Sequence, residues 1–402
     1  MTLVSGYANN NINNNDWKSW KWQQQNAIRN FNTLLDYFTN ISPDFVEELK
    51  ENIGNLKFQI TPYLLSLIPQ ELSTDELKNN SLFMQFFPVG EIYTQGHDAY
   101  NGTDNWEHGE EFPTSNIQHK YTNRALIRFR NCFGYCNFCF EALGTLEKNP
   151  SPEKIFKFSD WEKSLKYIKE TSKIEEVVLS GGEPLLMDDE KLEQILSDID
   201  NVNAQLGYDK IRFKRIHTRV MTFNPYRITT NLSTIIRNHR VNEIALNIAH
   251  PDEITEEMKE AIGIIRETGG RYAPLIVSHT PLLNGINDNS ETLWNLFSKL
   301  YSMNVKPYYL LHTMPHTPYA DMQRVSVRDG VKLMKKLKRH KSNIAIPEYV
   351  IVHYDGKQTV PLELNGTPEF QYTKDDNGNP IVRFLNWKNK WVEYPDTKNK
   401  LI

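Results

Sequence analysis

Cys132, Cys136 and Cys139 are the only cysteines in the 402-residue chain, and all fall within the stretch CFGYCNFC. Thiolate is a soft ligand that suits an iron–sulfur cluster, Zn²⁺ or Cu(I), and so short a loop can wrap only one small centre. Four cysteines would complete a cubane or a closed zinc site. Three leave one position open, which is how a metal centre comes to react with something. The competing readings are weaker. Cysteines also serve as small buried apolar residues, but packing gives no reason to confine three to one turn-prone loop. A structural zinc would want a fourth ligand, and the nearest histidine, His119, is too far upstream for the usual spacings.

A second stretch, Ser180-Gly181-Gly182-Glu183-Pro184, follows the strand-like EEVVLS and precedes the helical DDEKLEQIL. Paired glycines let the backbone come close to a ligand and offer its N–H and C=O groups, while Pro184 fixes the exit. Taken alone, the same residues read as an ordinary turn between a strand and a helix.

The elements that must position these motifs form a repeating pattern. From Ala125 onward, strands alternate with amphipathic helices, the signature of a parallel α/β sheet or barrel. The expected strands are Ala125–Arg130, Glu176–Ser180, Ile211–His217, Glu243–Ile248, Leu275–His279, Pro307–His312 and Tyr349–His353. Helices are expected near Asp160–Thr171, Asp188–Asp200, Ile228–Asn238, Glu253–Glu267, Ser290–Met303 and Ser326–Lys338. In such folds ligands gather at the carboxyl ends of the strands, where the cysteine loop leaves the first of them. Upstream, DWKSWKWQQQNAIRNFNTLLDYF carries apolar residues at helical spacing with Asp16 as N-cap, a second helix runs from Pro43 to about Asn55, and Thr61–Ile68 is a buried segment. The turn-rich stretch 79–115 reads as a lid or wrapping arm. The organisation is thus an Asn-rich disordered tail (1–15), a helical accessory segment (16–118), the α/β core (119–360) and a β-rich tail (361–402).

Composition narrows the function classes. A formal charge of −4 gives no global attraction to nucleic acid, and no apolar run is long enough to cross a membrane. The expected partner is a small molecule. The first residues lack a secretory pattern and the cysteines form no disulfide framework, so a reducing cytoplasm is expected, with a site that oxygen would harm.

Together, C-x3-C-x2-C after the first strand and GGEP after the second resemble the radical S-adenosylmethionine (SAM) enzymes. The resemblance narrows to the lysine 2,3-aminomutase family through DWKSWKWQ, ITPYLLSLI, HKYTNR, VVLSGGEPLLMDDEKLEQIL, NIAHPDEIT, LLNGIND, KPYYLL and RFLNW, in that order from about Asp16 to the end of the chain. It implies an incomplete (β/α)6 barrel with an N-terminal helical extension and a C-terminal β-rich tail. It also implies a [4Fe–4S] cluster on Cys132, Cys136 and Cys139, with SAM chelating the fourth iron, and an electron donor such as a flavodoxin or ferredoxin. One electron passed to the sulfonium yields a 5′-deoxyadenosyl radical that removes hydrogen from unreactive carbon. Gly181, Gly182 and Glu183 fall where the family holds the methionine amino group, and Asn247 and His279 where it places polar groups near the SAM carboxylate and ribose. Self-association is a further family trait.

The chain departs from the family where substrate is bound. The family's pyridoxal phosphate (PLP) lysine precedes a small residue and proline. Here the corresponding stretch is HYDGKQTVPLE, with Thr359 in the lysine's place and Lys357 two residues earlier, in what reads as a solvated turn. Tyr121 and Arg124 match residues near the family's cofactor phosphate, whereas Leu311 stands where an aromatic hydroxyl is expected. Glu141 replaces an arginine for the substrate carboxylate, and Met314 and Val352 replace the acids that hold the far amino group of lysine. Arg128 and Arg130, like Arg212 and Lys214, alternate with apolar residues, so each pair is expected to face the interior and, with Glu141 opposing, to bind a substrate carrying both charges. The leading expectation is hydrogen abstraction from a small polar, amino-acid-like substrate other than lysine. The alternatives are a PLP-dependent aminomutase using Lys357, or a non-catalytic iron–sulfur or zinc protein.

Overall fold

The computed structural model describes residues 14–54, 56–89, 112–141, 145, 156–315, 317, 319–353 and 355–397. Most of the tail and of the expected lid, residues 1–13 and 90–111, lies outside the described residues.

The accessory segment is several short helices. Asp16 is not the N-cap of one long helix: it sits in the first turn of a four-residue helix, Asn14–Trp17, and the chain restarts at α1 (Trp20–Gln25), where Ser19 accepts from the Trp22 N–H. A hydroxyl at the N-cap satisfies an otherwise orphaned amide, and Ser42 does the same for α2 (Pro43–Ile53) and Thr61 for α3 (Pro62–Ser66). The leucines and aromatics of these helices join the main core: Leu34, Leu49, Leu64, Leu65 and Phe83 are all buried in it.

Nine strands make one sheet in simple sequence order. β1 (Ile117–Tyr121) pairs antiparallel with β2 (Arg124–Phe129). After β2 come α4 (Trp161–Glu170), β3 (Glu176–Gly181), α5 (Asp189–Leu206), β4 (Phe213–Thr218), α6 (Thr230–Asn238) and β5 (Glu243–Asn247). They are followed by α7 (Glu256–Gly269), β6 (Leu275–Leu282), α8 (Ser290–Ser302), β7 (Lys306–His312), α9 (Val327–His340) and β8 (Glu348–His353). β2 to β8 are parallel throughout, and β9 (Gly356–Thr359) returns antiparallel on β8. The architecture is therefore six βα units and a seventh parallel strand, with an antiparallel strand at each edge. Every strand and helix expected from Ala125 to His353 is present; β1 and β9 are additional.

Among the described residues the edge strands β1 and β9 share no ladder, and bonds that involve side chains bridge the seam. The Lys357 N–H donates to the Tyr121 hydroxyl at 3.0 Å, and Lys120 Nζ donates to the His353 carbonyl at 3.3 Å. Gly356, at φ +128°, leaves room for Trp387: a Cβ there would meet the indole at 2.9 Å. Trp387 precedes the last strand of a separate antiparallel sheet, β10 (Phe370–Lys374), β11 (Pro380–Leu385) and β12 (Trp391–Pro395). This tail is pinned to the barrel by Tyr394, whose buried hydroxyl donates to the Thr313 carbonyl at 3.2 Å, and by Asp396, which accepts from the Val327 N–H at the start of α9.

Candidate active site

The accessory segment holds the cysteine loop in place. Gln59 Nε2 donates to the carbonyls of Cys132 (3.2 Å) and Phe133 (2.8 Å), and Asn137 binds back to the Gln85 and Met84 carbonyls. Burial pushes all three thiols up, Cys139 to about 12, and for Cys132 and Cys139 the neighbouring cysteines add to the effect. Lys57 opposes this at Cys132 and Arg219 at Cys136. Arg219 is buried, with Nη1 2.7 Å from Cys136 Sγ, Nη2 3.1 Å from Glu253, a further hydrogen bond to Gln85, and the rings of Phe86 and Phe138 within 4.9 Å. The sequence pattern does not single out Arg219 because it follows the last residue of β4; an arginine after a buried strand end was the available signal.

The glycine turn is built by close approach. A Cβ on Gly182 would lie 2.6–2.9 Å from backbone atoms of Arg130 and Asn131, and one on Gly181 would lie 2.5 Å from the Phe129 carbonyl. The two glycines thus let the end of β3 press against the end of β2, not primarily against a ligand, and the N–H groups of Gly182 and Glu183 donate to Phe129 and Asn131. Glu183 is buried and its carboxylate accepts from Thr218 Oγ1 (2.7 Å), the Arg219 N–H (2.9 Å) and the Leu185 N–H (3.0 Å). Burial nevertheless outweighs these bonds and raises its pKa to about 7. Unfolded, the carboxyl ionises near its ordinary value of 4.5, so between 4.5 and about 7 the native state holds the extra proton. Stability contributed here falls as pH rises through that window. In urea titrations of the ligand-free protein, this slope is expected to be present in the wild type and reduced in Glu183→Gln.

Both motifs open on one cavity that continues to Lys357. Asn247 and His279 line it, as does His217, and the two imidazoles meet edge to face at 5.1 Å. Burial holds both histidines well below the usual range, helped at His217 by Arg215 and at His279 by His217 itself; Nε2 of each has no partner among the described residues. Lys357 is not in a solvated turn. It lies on β9 opposite Val352, its Nζ 4.6 Å from the Tyr309 ring centroid, with no hydrogen bond or ion pair from Nζ among the described residues. Burial, followed by the charges of Arg215 and Arg124, lowers its amine to about 7. Across the amino ends of β2 to β5 runs a chain of ion pairs. Glu176 lies 2.9 Å from both Arg124 Nε and Arg215 Nη1, and Arg215 continues to Glu243 at 2.5 Å.

Residues 126–296 match the family model of the radical SAM superfamily. The L-lysine 2,3-aminomutase of Methanococcus maripaludis is 33% identical over 356 residues, covering 87% of this chain and 76% of that one. The chain belongs to the lysine 2,3-aminomutase family of radical SAM enzymes. The L-lysine 2,3-aminomutase of Acetoanaerobium sticklandii is 27% identical, covering 92% of this chain and 83% of its own. The glutamate 2,3-aminomutase of Clostridioides difficile is similar over 95% of this chain and 83% of its own, at 29% identity. This is an enzyme family, and the family implies a [4Fe–4S] cluster, SAM, a small-molecule substrate and an electron donor. Among the described residues no helix is long and apolar enough to cross a membrane.

The residues present fit these groups. Cys132, Cys136 and Cys139 all line the one cavity, so three thiolates can face a single centre there. Half-buried thiols that are costly to ionise gain most from a cation at that spot, and the Arg219 N–H is already directed at one sulfur.

Other residues singled out in this aminomutase-family chain fall elsewhere. Glu141 lines the cavity but is ion-paired with Arg128 at 3.2 Å, and neither Arg128 nor Arg130 is among the described residues lining it. Arg212 is exposed and pairs with Glu175, while Lys214 points outward to Asp200 on α5. β4 begins at Phe213 with Arg215 and His217 facing in, the opposite phase to the one expected from Ile211 and Phe213.

Proposed function

We propose that this chain is an aminomutase-type radical SAM enzyme for an amino acid other than lysine, with PLP joined to Lys357. In this reading Cys132, Cys136 and Cys139 hold the cluster, Gly181, Gly182, Asn247 and His279 face SAM, and Tyr121 and Arg124 flank PLP. The observation that carries it is one cavity lined both by the cysteine loop and by Lys357, whose amine, lowered to about 7, has no polar partner among the described residues. A lysine so depressed is partly neutral at physiological pH, as a nucleophile for a carbonyl must be. Among the readings left open by the sequence, this geometry favours the PLP-dependent one.

Bound together, the cluster and SAM would supply a carbon radical for hydrogen removal, and PLP would supply covalent attachment of the substrate amine. The protein's share is placement and exclusion. Glu183 holds the turn, since its carboxylate is already engaged by Thr218, Leu185 and Arg219. Tyr309 covers Lys357, and the neutral His217 and His279 line the cavity without adding charge. Against lysine as substrate stand three residues that line this cavity: Glu141 in place of the family's arginine, and Met314 and Val352 in place of its two acids. A charged group left without its partner there would cost several kcal/mol.

Anaerobic incubation with SAM and dithionite is expected to release methionine and 5′-deoxyadenosine, and deuterated lysine is expected to pass no deuterium into the latter. Deuterium transfer from lysine would overturn the substrate reading. Absence of 5′-deoxyadenosine would sink the whole proposal.

A further inference from the structure

Resting on the reading of an amino-acid substrate, we infer that its side chain is apolar, aliphatic or aromatic, and seats against Phe140, Met314 and Val352. These three come from different parts of the chain: Phe140 directly follows the last cysteine, Met314 lies just past β7, and Val352 is on β8. They nevertheless form one small apolar cluster, separate from the main core, with Met314 buried at its centre. All three line the same cavity as the cysteine loop and Lys357, and Leu311 on β7 lines it with them.

Apart from Lys357, which in this reading is joined to PLP, the charges beside this patch are already committed. Glu141, next to Phe140, is paired with Arg128, and Lys120 is directed at the His353 carbonyl. An ammonium or carboxylate placed on the patch would be stripped of water and given no partner there. An alkyl or aryl group would gain contact with a thioether, a ring and a branched methyl pair, with the amino group left for the PLP that Lys357 would hold. Val352 lies directly opposite Lys357 in the β8–β9 register, so the hairpin that presents the amine also presents one wall of the apolar seat.

The test uses reconstituted enzyme loaded with iron, sulfide and PLP, incubated anaerobically with SAM and dithionite. Perdeuterated L-leucine, L-valine and L-phenylalanine are compared with perdeuterated L-lysine and L-glutamate by mass spectrometry of 5′-deoxyadenosine. The expected result is deuterium from at least one apolar amino acid at a rate about 100-fold above lysine and glutamate. Val352→Asp is expected to reduce that transfer at least about tenfold, whereas Met314→Leu, which keeps the seat apolar, retains it. Deuterium from lysine or glutamate at an equal or higher rate overturns the inference while leaving an amino-acid substrate standing. Deuterium from none of the five, with 5′-deoxyadenosine still formed, overturns the inference and the amino-acid reading with it. Transfer from an apolar amino acid that is unchanged in Val352→Asp removes the assigned seat.

Discussion

Lys357→Ala is expected to abolish covalent PLP binding and to lower hydrogen transfer from substrate roughly a thousandfold or more, the scale at which removal of a covalent catalyst is felt. In the wild type, borohydride should fix PLP to the chain; in the variant, PLP should wash out on gel filtration and no labelled peptide should form. Lys357→Arg is not expected to rescue, because a guanidinium keeps its proton and cannot attack a carbonyl. Attachment of PLP should also carry the signature of the lowered amine. The neutral fraction of Lys357 rises with pH through about 7, so the rate of attachment is expected to climb between pH 6 and 8 and then level off. A surface lysine would still be climbing at pH 9. The same shift acts on stability. Between about 7 and the ordinary lysine value of 10.5 the unfolded chain keeps a proton that the native amine has lost, so stability contributed by this group rises with pH across that window. PLP retained at full occupancy in Lys357→Ala would end the proposal for this residue.

The second large effect is expected on folding. Arg227 is wholly buried, its Nε donates to the Leu185 carbonyl at 2.7 Å and its Nη2 to the Met187 carbonyl at 2.8 Å, and Asp189 lies 2.8 Å away. The guanidinium also stacks 4.6 Å from the Trp20 ring centroid, tying the accessory helix α1 to the turn that leaves the GGEP motif. Truncation would take a donor from one buried and one half-buried carbonyl and the cation from a half-buried carboxylate, and open a gap under Trp20. Arg227→Ala is therefore expected to cost about 3–5 kcal/mol in urea unfolding. Arg227→Lys should recover only part of this, since a single ammonium cannot span both carbonyls and Asp189. Because Glu183 and Pro184 sit immediately before Leu185, weakened SAM binding in the same variant is expected alongside the lost stability, measurable by equilibrium dialysis. A change within about 0.5 kcal/mol, the range of an ordinary surface substitution, would show that the tie to Trp20 carries no weight.

Much of the fold and of the radical chemistry is legible in the amino-acid sequence. C-x3-C-x2-C is a local pattern, held within eight residues, so its chemistry needs no knowledge of the fold. The strand–helix alternation from Ala125 to His353 is equally readable, because each βα unit buries a continuous apolar strand under an amphipathic helix and writes that periodicity into the sequence. Helix starts are less secure: Asp16 and Ser19 are both good N-caps, and only packing against Phe133 and Arg227 places Trp20 at the start of α1.

Tertiary structure decided the direction of the charged side chains. In β4, charged or polar residues occupy both faces, Lys214 outward and Arg215 and His217 inward, so alternation alone fits either phase; the residue at which the strand begins to pair with β3 makes the choice. Lys357 reads as a turn lysine because DGK is a turn signal, yet the two-stranded return of β9 on β8 rotates it into the cavity. The pairings of Glu141 with Arg128 and of Arg219 with Cys136 join residues 13 and 83 positions apart, which come together only when the barrel curls. The sequence by itself therefore pointed to radical chemistry, since the pattern that suggests it is one contiguous loop. Which face of each strand meets the cavity was set by sheet registration and barrel closure, since these bring distant residues together.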